Sequence, residues 1–461
     1  MPYIFNKYYP SRNIFFVIGE GILIFICIIS VLLFIGRISS EIANIPIILL
    51  KAILVTFIFQ LCLYYFDMYD FRSIGSFSEN ATRISQAFGF GCILLAGAYY
   101  FFPSTTISFQ TFLISYALIC ICLGLWRFYY SQILAKRMFT RPVLIIGTGN
   151  IAQAITLQIM SRIDSGYNIS AFVGPLSPNF SFPEDIYYTN DPLKIPDITH
   201  DKKIEKIVVA LDDRRGKTPI TELLNCKLKG VKIISGIEFY EELTGKILVS
   251  NVNPDWLIYS DGFQKGKITL LSKRLLDFSV SLSGLLLTLP IVAISALIIK
   301  LESPGPVLYS QERMREGEKT FWIYKFRSMC CDAESSGPVW AQENDCRVTR
   351  FGSFIRKTRI DEIPQLWNIF KGEMSFVGPR PERPYFVEQL RKKLPYYSLR
   401  HNVKPGLTGW AQISYPYGAS EEDALNKLEY DLYYIKNLCF SLDIMVAFQT
   451  IKIILFQRGS R

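Results

Sequence analysis

SFIRKTRIDEIPQLWNIFKGEMSFVGPRPERP, residues 353–384, is the stretch around which this chain is organised. Arg356, Lys357 and Arg359 stand just ahead of two adjacent carboxylates, Asp361 and Glu362, and Arg380 and Arg383 follow in a proline-punctuated turn. Cations flanking carboxylates suit phosphate chemistry: a nucleotide diphosphate repels an approaching carboxylate until arginine, lysine or a divalent metal neutralises its oxygens. Either Asp361 or Glu362 can attack phosphorus and form a covalent intermediate. The other can hold Mg2+, a hard cation that takes one or two carboxylates plus phosphate oxygens. Pro364 predicts the first turn of a helix reading EIPQLWNIF, with Asp361 at its N-terminus, where free N–H groups favour anions. On spacing alone, an N-cap followed by a first-turn acid has the better claim.

Outward from this stretch, GPVLYSQERMREGEKTFWIYKFRSM (residues 305–329) carries Arg313, Arg315, Lys325 and Arg327. Its alternation predicts a strand with Lys325 and Arg327 on one side and aromatics on the other, a cationic floor beside Arg356 and Asp361. VKPGLTGWAQIS (residues 403–414) supplies glycine turns, Lys404 and Trp410, the last placed to close over a base or sugar. LSKRLLD (residues 271–277) adds Lys273 and Arg274.

These segments, in this order over about the last 190 residues, resemble the bacterial sugar transferases, the monotopic phosphoglycosyl transferases that move a sugar phosphate onto a polyprenyl phosphate. The resemblance implies that Asp361 is the nucleophile and Glu362 its metal-binding partner, the two holding Mg2+. It implies phosphate contacts from Arg356, Lys325, Arg327, Arg380, Lys273 and Arg274, and a nucleotide or sugar pocket from Arg313, Arg383, Lys404 and Trp410. The expected reaction transfers a sugar 1-phosphate from a UDP-sugar to undecaprenyl phosphate through a phosphosugar-aspartate, releasing UMP. That is the first membrane step in making an exopolysaccharide, capsule or O-antigen. The opening FNKYYPSRN and the three-part layout lean toward a plain hexose.

Leu275 to Leu301 is long and apolar enough to span a bilayer, yet Leu289-Pro290 breaks its middle and Ser281, Ser283, Thr288 and Ser295 supply hydroxyls. A proline bends a helix, and hydroxyls satisfy the freed backbone groups in lipid. The segment therefore reads as a re-entrant helix, as in the resembled family, with Lys273, Arg274 and Lys300 at the headgroups. The last segment, LCFSLDIMVAFQTIKIILF, reads as an interfacial helix, with a packed core helix as the competing account.

VLIIGTGNIAQAITLQIM, from Val143, opens a Rossmann-like unit with Gly147, Gly149 and Ala152 at the fingerprint positions. Strands recur at ISAFVG, KIVVAL and VKIISG. Gly174 and Pro175 stand where an acidic ribose partner would close the second strand, so the unit reads as a degenerate nucleotide-binding domain.

Half of the 461 residues are hydrophobic and the net charge is +10, which suits a protein that sits against anionic lipid and handles anionic substrates. No nucleic-acid-binding module accompanies that charge. Apolar runs at Ile14–Ile35, Ile45–Phe66, Ile84–Phe102 and Ile107–Trp126 predict four transmembrane helices, the first retained and not a signal peptide. Glu20 inside the first span is expected to pair with a neighbouring helix. Lys7, Arg12, Arg72, Arg83, Lys136, Arg137 and Arg141 fall on one side and Arg37 on the other, which places the catalytic domain on the cytoplasmic face of the inner membrane. The cysteines lack a disulfide or zinc pattern, even where Cys330, Cys331 and Cys346 come close together. With only two histidines, His200 and His401, a histidine base or a His-rich metal site is not expected; His401, just before VKPG, reads as structural, with a substrate contact as the competing account.

The fold class expected is thus membrane α plus α/β. It comprises a four-helix transmembrane domain (1–135), a Rossmann-like domain (136–260) that is a plausible homodimer contact, and an α/β catalytic domain (261–461) with the re-entrant helix. A membrane-attached NAD-dependent dehydratase or epimerase is the first rival, but it needs a Tyr-x-x-x-Lys pair that is absent between Arg141 and Asp261. The second is a non-catalytic assembly protein that merely binds anionic lipid.

Overall fold

The computed structural model describes residues 3–4, 7–38, 45–71, 77–178, 180, 186–212, 218–252, 254–330, 347–416, 418 and 420–456. Arg72, Cys331 and Cys346, and the side chains of Lys7 and Arg37, lie outside what is described. The chain forms two compact units, residues 8–239 and 240–461.

Four apolar helices lead the first unit: α1 (Ser11–Ile38), α2 (Ile45–Tyr65), α3 (Phe77–Phe101) and α4 (Phe109–Ala135). Their inward faces meet around Ile24, Val55, Phe59, Phe88 and Leu123, while Phe15, Ile26, Ile93 and Ile121 stay bare on the outside. Apolar surface left bare on this scale marks contact with lipid or another partner. Buried Glu20 meets Arg127 of α4 at 2.7 Å, the pairing that makes a charge inside apolar helices tolerable. Arg12 at the head of α1 donates to the carbonyls of Met138 (3.1 Å) and Ile163 (2.6 Å), tying the helices to the sheet that follows.

That sheet has five parallel strands: β1 (Arg141–Ile146), β2 (Tyr167–Val173), β3 (Tyr187–Thr189), β4 (Lys206–Val209) and β5 (Lys232–Ser235), in the order β3-β2-β1-β4-β5. The short β3 has no apolar run and was not legible in the sequence. Leu144, Ile146, Ala171 and Val209 form one buried face, as expected of strands covered by helices. Gly147 leaves β1 with φ +110°, and a Cβ there would fall 2.6 Å from the Ala210 carbonyl oxygen, so only glycine makes this turn.

Helix α5 (Asn150–Ser161) follows, and its first N–H groups are already taken. The Asp212 carboxylate accepts from Asn150 N at 2.9 Å and Ile151 N at 3.3 Å, where a dinucleotide would place its phosphates. Thr148 donates to the Pro175 carbonyl (2.6 Å) and accepts from Ser177 N (2.9 Å), drawing the loop after β2 over the glycine turn.

The second unit is built on α6 (Lys267–Glu302), uncharged from Phe278 to Ile299. Among the described residues five helices, α1–α4 and α6, are long and apolar enough to cross a membrane. Helix α6 runs on through Pro290, and Thr288 donates its hydroxyl to the Gly284 carbonyl at 2.7 Å. An antiparallel hairpin, β6 (Leu308–Arg315) and β7 (Lys319–Phe326), comes next, then α7 (Arg350–Lys357) and α8 (Gln365–Lys371). The parallel pair β8 (Ser375–Val377) and β9 (Gly406–Thr408) and the helices α9 (Glu421–Lys436) and α10 (Phe440–Leu455) complete it. In the last helix Leu442, Met445 and Val446 pack inward while Ile444, Ile451 and Leu455 are bare, so features of both expected readings are present.

Two small cores hold the unit together. Phe321 and Ile323 of β7 meet Leu366 and Ile369 of α8, and Phe326 meets Ile299 of α6 and Ile355 of α7. Asn368, fully buried on α8, donates its amide to the Trp322 carbonyl at 2.8 Å and accepts from Tyr324 N at 3.3 Å, which fixes β7 against the helix.

Candidate active site

Asp361 and Glu362 do not open the α-helix as the sequence predicts. They sit in a 3-10 turn, Ile360–Glu362, and α8 begins only at Gln365, after Pro364. Arg359 enters this turn in the left-handed conformation (φ 59°), a position that costs a non-glycine residue about 1 kcal/mol or more and is common at functional turns. Both carboxylates end up buried, Asp361 at 7% and Glu362 at 9% exposure.

Their surroundings separate their roles. Lys325 Nζ lies 2.8 Å from Glu362 Oε1, with Arg380 at 3.6 Å from the same oxygen and Arg359 at 3.8 Å from Oε2. Burial alone would push the Glu362 carboxyl up, but Lys325, Arg380 and Arg359 outweigh it and hold the group far below the usual range, ionised. Burial also pushes the Asp361 carboxyl up, and here it prevails over Lys325, Arg359 and Arg356, with neighbouring Glu362 adding to the rise. Among the described residues, Asp361 Oδ1 has no hydrogen-bond partner. A buried anion with an open oxygen is a competent nucleophile or metal ligand.

The residues fit Mg2+. Asp361 Oδ1 is open, and the Glu362 Oε2 contact to Arg359 is long. No cluster of three or more His, Cys, Asp or Glu occurs among the described residues, so such an ion would take the rest of its shell from substrate and water.

Other predicted residues are spread more widely. Lys325 reaches the pair from the strand face it shares with buried Phe321 and Ile323, with Trp322, Tyr324 and Phe326 on the opposite face as expected. Arg356, in the last turn of α7, donates through Nε to Ser328 Oγ at 3.0 Å and acts on Asp361 through its charge. Arg313 braces the following turn, donating to the Pro381 carbonyl at 3.1 Å, and Arg383 stands at the head of helix Pro384–Lys393. Lys404 is half-buried, and burial with the nearby Arg274 holds its amine below the usual value.

Four placements differ from expectation. Arg327 is no part of a phosphate floor: it donates to the carbonyls of Ser303 (2.7 Å) and Pro304 (2.8 Å), closing the end of α6 where carbonyls lack partners. Lys273 is not at headgroups but buried, donating to the Val377 carbonyl (2.7 Å) and pairing with Asp443 (2.8 Å). Arg274 donates to the carbonyls of Ile369 and Phe370, both at 2.8 Å, at the end of α8. Trp410 is 2% exposed, donates to the Gly245 carbonyl at 2.8 Å and stacks on Tyr433, so it fills a core and closes over nothing. In each case a cation or indole meets a carbonyl from a distant part of the chain, which spacing along the sequence does not reveal.

Two residues beyond those predicted belong to the setting. Arg400, 6% exposed, donates to Asp431 Oδ2 at 2.9 Å and to the Arg380 carbonyl at 3.1 Å, steadying the turn that brings Arg380 to Glu362. Next to it, burial holds the His401 imidazole down at about 4, below its ordinary 6.5. The fold thus binds fewer protons than the unfolded chain between those values, and stability is expected to fall as pH drops from about 6.5 to about 4, by up to about 3 kcal/mol. Melting at pH 7 and pH 5 checks this: His401→Phe should flatten the difference.

Residues 268–457 match the family model described as bacterial sugar transferase, and residues 64–231 match one described as a CoA-binding domain. The second match agrees with the parallel sheet, but Asp212 fills the head of α5, so the residues present do not fit the phosphates of coenzyme A there. Among relatives, a protein of Aeromonas hydrophila named UDP-N-acetylgalactosamine-undecaprenyl-phosphate N-acetylgalactosaminephosphotransferase is 41% identical over 52% of this chain and 56% of its own length. The UDP-glucose:undecaprenyl-phosphate glucose-1-phosphate transferase of Escherichia coli K12 is 42% identical over 40% of each chain. This chain therefore spans about half the length of those two relatives or less. A putative undecaprenyl-phosphate N-acetylgalactosaminyl 1-phosphate transferase of Bacillus subtilis is 54% identical over 28% of this chain and 72% of its own length. With so much of that shorter relative matched at this identity, the chain belongs to the bacterial sugar transferase family.

Proposed function

We propose that this protein transfers a sugar 1-phosphate from a UDP-sugar to undecaprenyl phosphate, with Asp361 as the nucleophile. The observation that carries the reading is the contrast within the pair: Glu362 is held ionised by Lys325 at 2.8 Å, while Asp361 keeps one buried oxygen open. Asp361 attacks the sugar-linked phosphorus, the bond to the bridging oxygen breaks, and UMP leaves with the electron pair. Undecaprenyl phosphate, placed by Arg356, then attacks the phosphosugar-aspartate and frees Asp361. Lys325 and Arg380 keep Glu362 charged and fixed throughout. Mg2+ held by Asp361 and Glu362 would neutralise phosphate charge.

Membrane placement supports the same reading. Both ends of α6 pack on one folded unit: Lys273 on Val377 and Asp443, and Ile299 on Phe326 and Ile355. A straight helix would separate those ends by about 39 Å, enough to put them on opposite sides of a bilayer. Between them Leu286, Leu287, Leu289, Ile294 and Leu297 are bare. A helix that enters one leaflet and returns at Pro290 leaves the unit on one side, the cytoplasmic face of the inner membrane by the basic-residue asymmetry. The names of the Aeromonas and Bacillus relatives put UDP-N-acetylgalactosamine first among donors to test, against the leaning to a plain hexose.

The deciding assay follows radiolabel from a panel of UDP-sugars into organic-extractable lipid. Label in lipid supports transfer; its absence, with cofactor absorbance changing instead, returns the dehydratase reading. In the same assay Gly149→Ala is expected to keep most activity. Its Cβ would fall 2.1 Å from Asp212 Oδ2, so loss of that cap should lower stability by about 1 kcal/mol in thermal melts.

A further inference from the structure

A small cleft, partly open to solvent, is lined by Arg315, Arg380, Arg400, His401, Pro379 and Pro405 among others, with no carboxylate among the described residues of its wall. Arg380 belongs both to this wall and to the setting of the pair, reaching Glu362 at 3.6 Å. Arg400 is spoken for, bound to Asp431, and serves as a fixed back wall. His401 and Arg315 are different. His401 is 6% exposed, and among the described residues neither its Nδ1 nor the buried Nε of Arg315 has a hydrogen-bond partner. Leaving a buried polar nitrogen unpaired costs about 1–3 kcal/mol, which a ligand acceptor in the cleft would recover. An uncharged imidazole beside guanidinium groups adds a directional polar contact without further repulsion among cations.

We propose that this cleft is the phosphate subsite for the nucleotide half of the donor, receiving the phosphate that departs as UMP, with Arg315 and His401 as its inner contacts. The inference rests on the transfer reading above. When the Asp361 oxygen–phosphorus bond forms and the bridging phosphorus–oxygen bond breaks, the bridging oxygen keeps the electron pair, so negative charge grows on the UMP phosphate. Arg380, 3.6 Å from Glu362, would meet that charge beside the pair, and Arg315 in the same cleft wall would add a second cation, the placement that favours the transition state over the bound donor.

A polyprenyl phosphate carries the same monoester group, so the test separates the two. UMP, uridine and undecaprenyl phosphate are titrated into the full chain in nanodiscs by calorimetry. His401→Ala and Arg315→Ala are each expected to weaken UMP about tenfold and to leave undecaprenyl phosphate within about twofold. His401→Gln should recover part of the loss. Unchanged UMP affinity in both variants, no UMP binding by the unsubstituted chain, equal loss for uridine and UMP, or loss confined to the lipid phosphate would each overturn the subsite. If His401→Ala lowers the melting temperature sharply, Arg315→Ala decides alone. Should UMP behave as expected while the unsubstituted chain labels no lipid, the transfer reading falls and the subsite stands.

Discussion

Asp361→Asn is expected to abolish UMP release, by about a thousandfold or more, while the protein stays folded. The amide oxygen is a poor nucleophile, and loss of a covalent catalyst removes one whole route across the barrier. Stability should not suffer. Burial raises the Asp361 carboxyl in the folded state, so the fold is carrying an unfavourable charge that asparagine removes. Unchanged or higher melting temperature together with lost UMP release is therefore the signature. A phosphosugar mass adduct on Asp361 in the parent, trapped during turnover and missing from the variant, completes the test; appreciable UMP formation by the variant would refute the nucleophile.

Lys325→Ala has the second largest expected effect, about a hundredfold loss of activity with a displaced pH profile. With Lys325 gone, Glu362 keeps Arg380 at 3.6 Å and Arg359 at 3.8 Å but loses its 2.8 Å partner. Burial, until then outweighed, drives the Glu362 carboxyl upward. Its ionised form is then lost at higher pH than in the parent, so the acidic limb of the rate profile should move up and activity should partly return as pH rises. A variant equally impaired at every pH would show that Lys325 acts on substrate alone and not through Glu362.

The architecture was legible where chemistry repeats along the chain. The four apolar runs, the strand-glycine-helix opening at Val143 and the long segment around Pro290 all appear as elements, because length and hydrophobic period are local properties. The same locality explains the misjudged helix start at Asp361, where Arg359 turns left-handed and delays α8 to Gln365. Near the pair, Lys325 and Arg380 were named from their residue type. Arg327, Lys273, Arg274 and Trp410 have the same credentials, yet each satisfies a carbonyl or core elsewhere. A cation's destination depends on which unpaired acceptor the fold brings near it, and helix ends compete with substrate for guanidinium groups.

By itself, the order of residues determined the classes of segment, the presence of membrane-length helices and the adjacent carboxylates, since these are fixed by neighbours in the chain. Only tertiary structure decided that Lys325, from a strand 37 positions away, holds Glu362, that Asp212 seals the head of α5, and that Asp361 keeps an open oxygen. The physical reason is that charge state and pairing depend on distance and burial in space, which residues far apart in sequence acquire only when packed together.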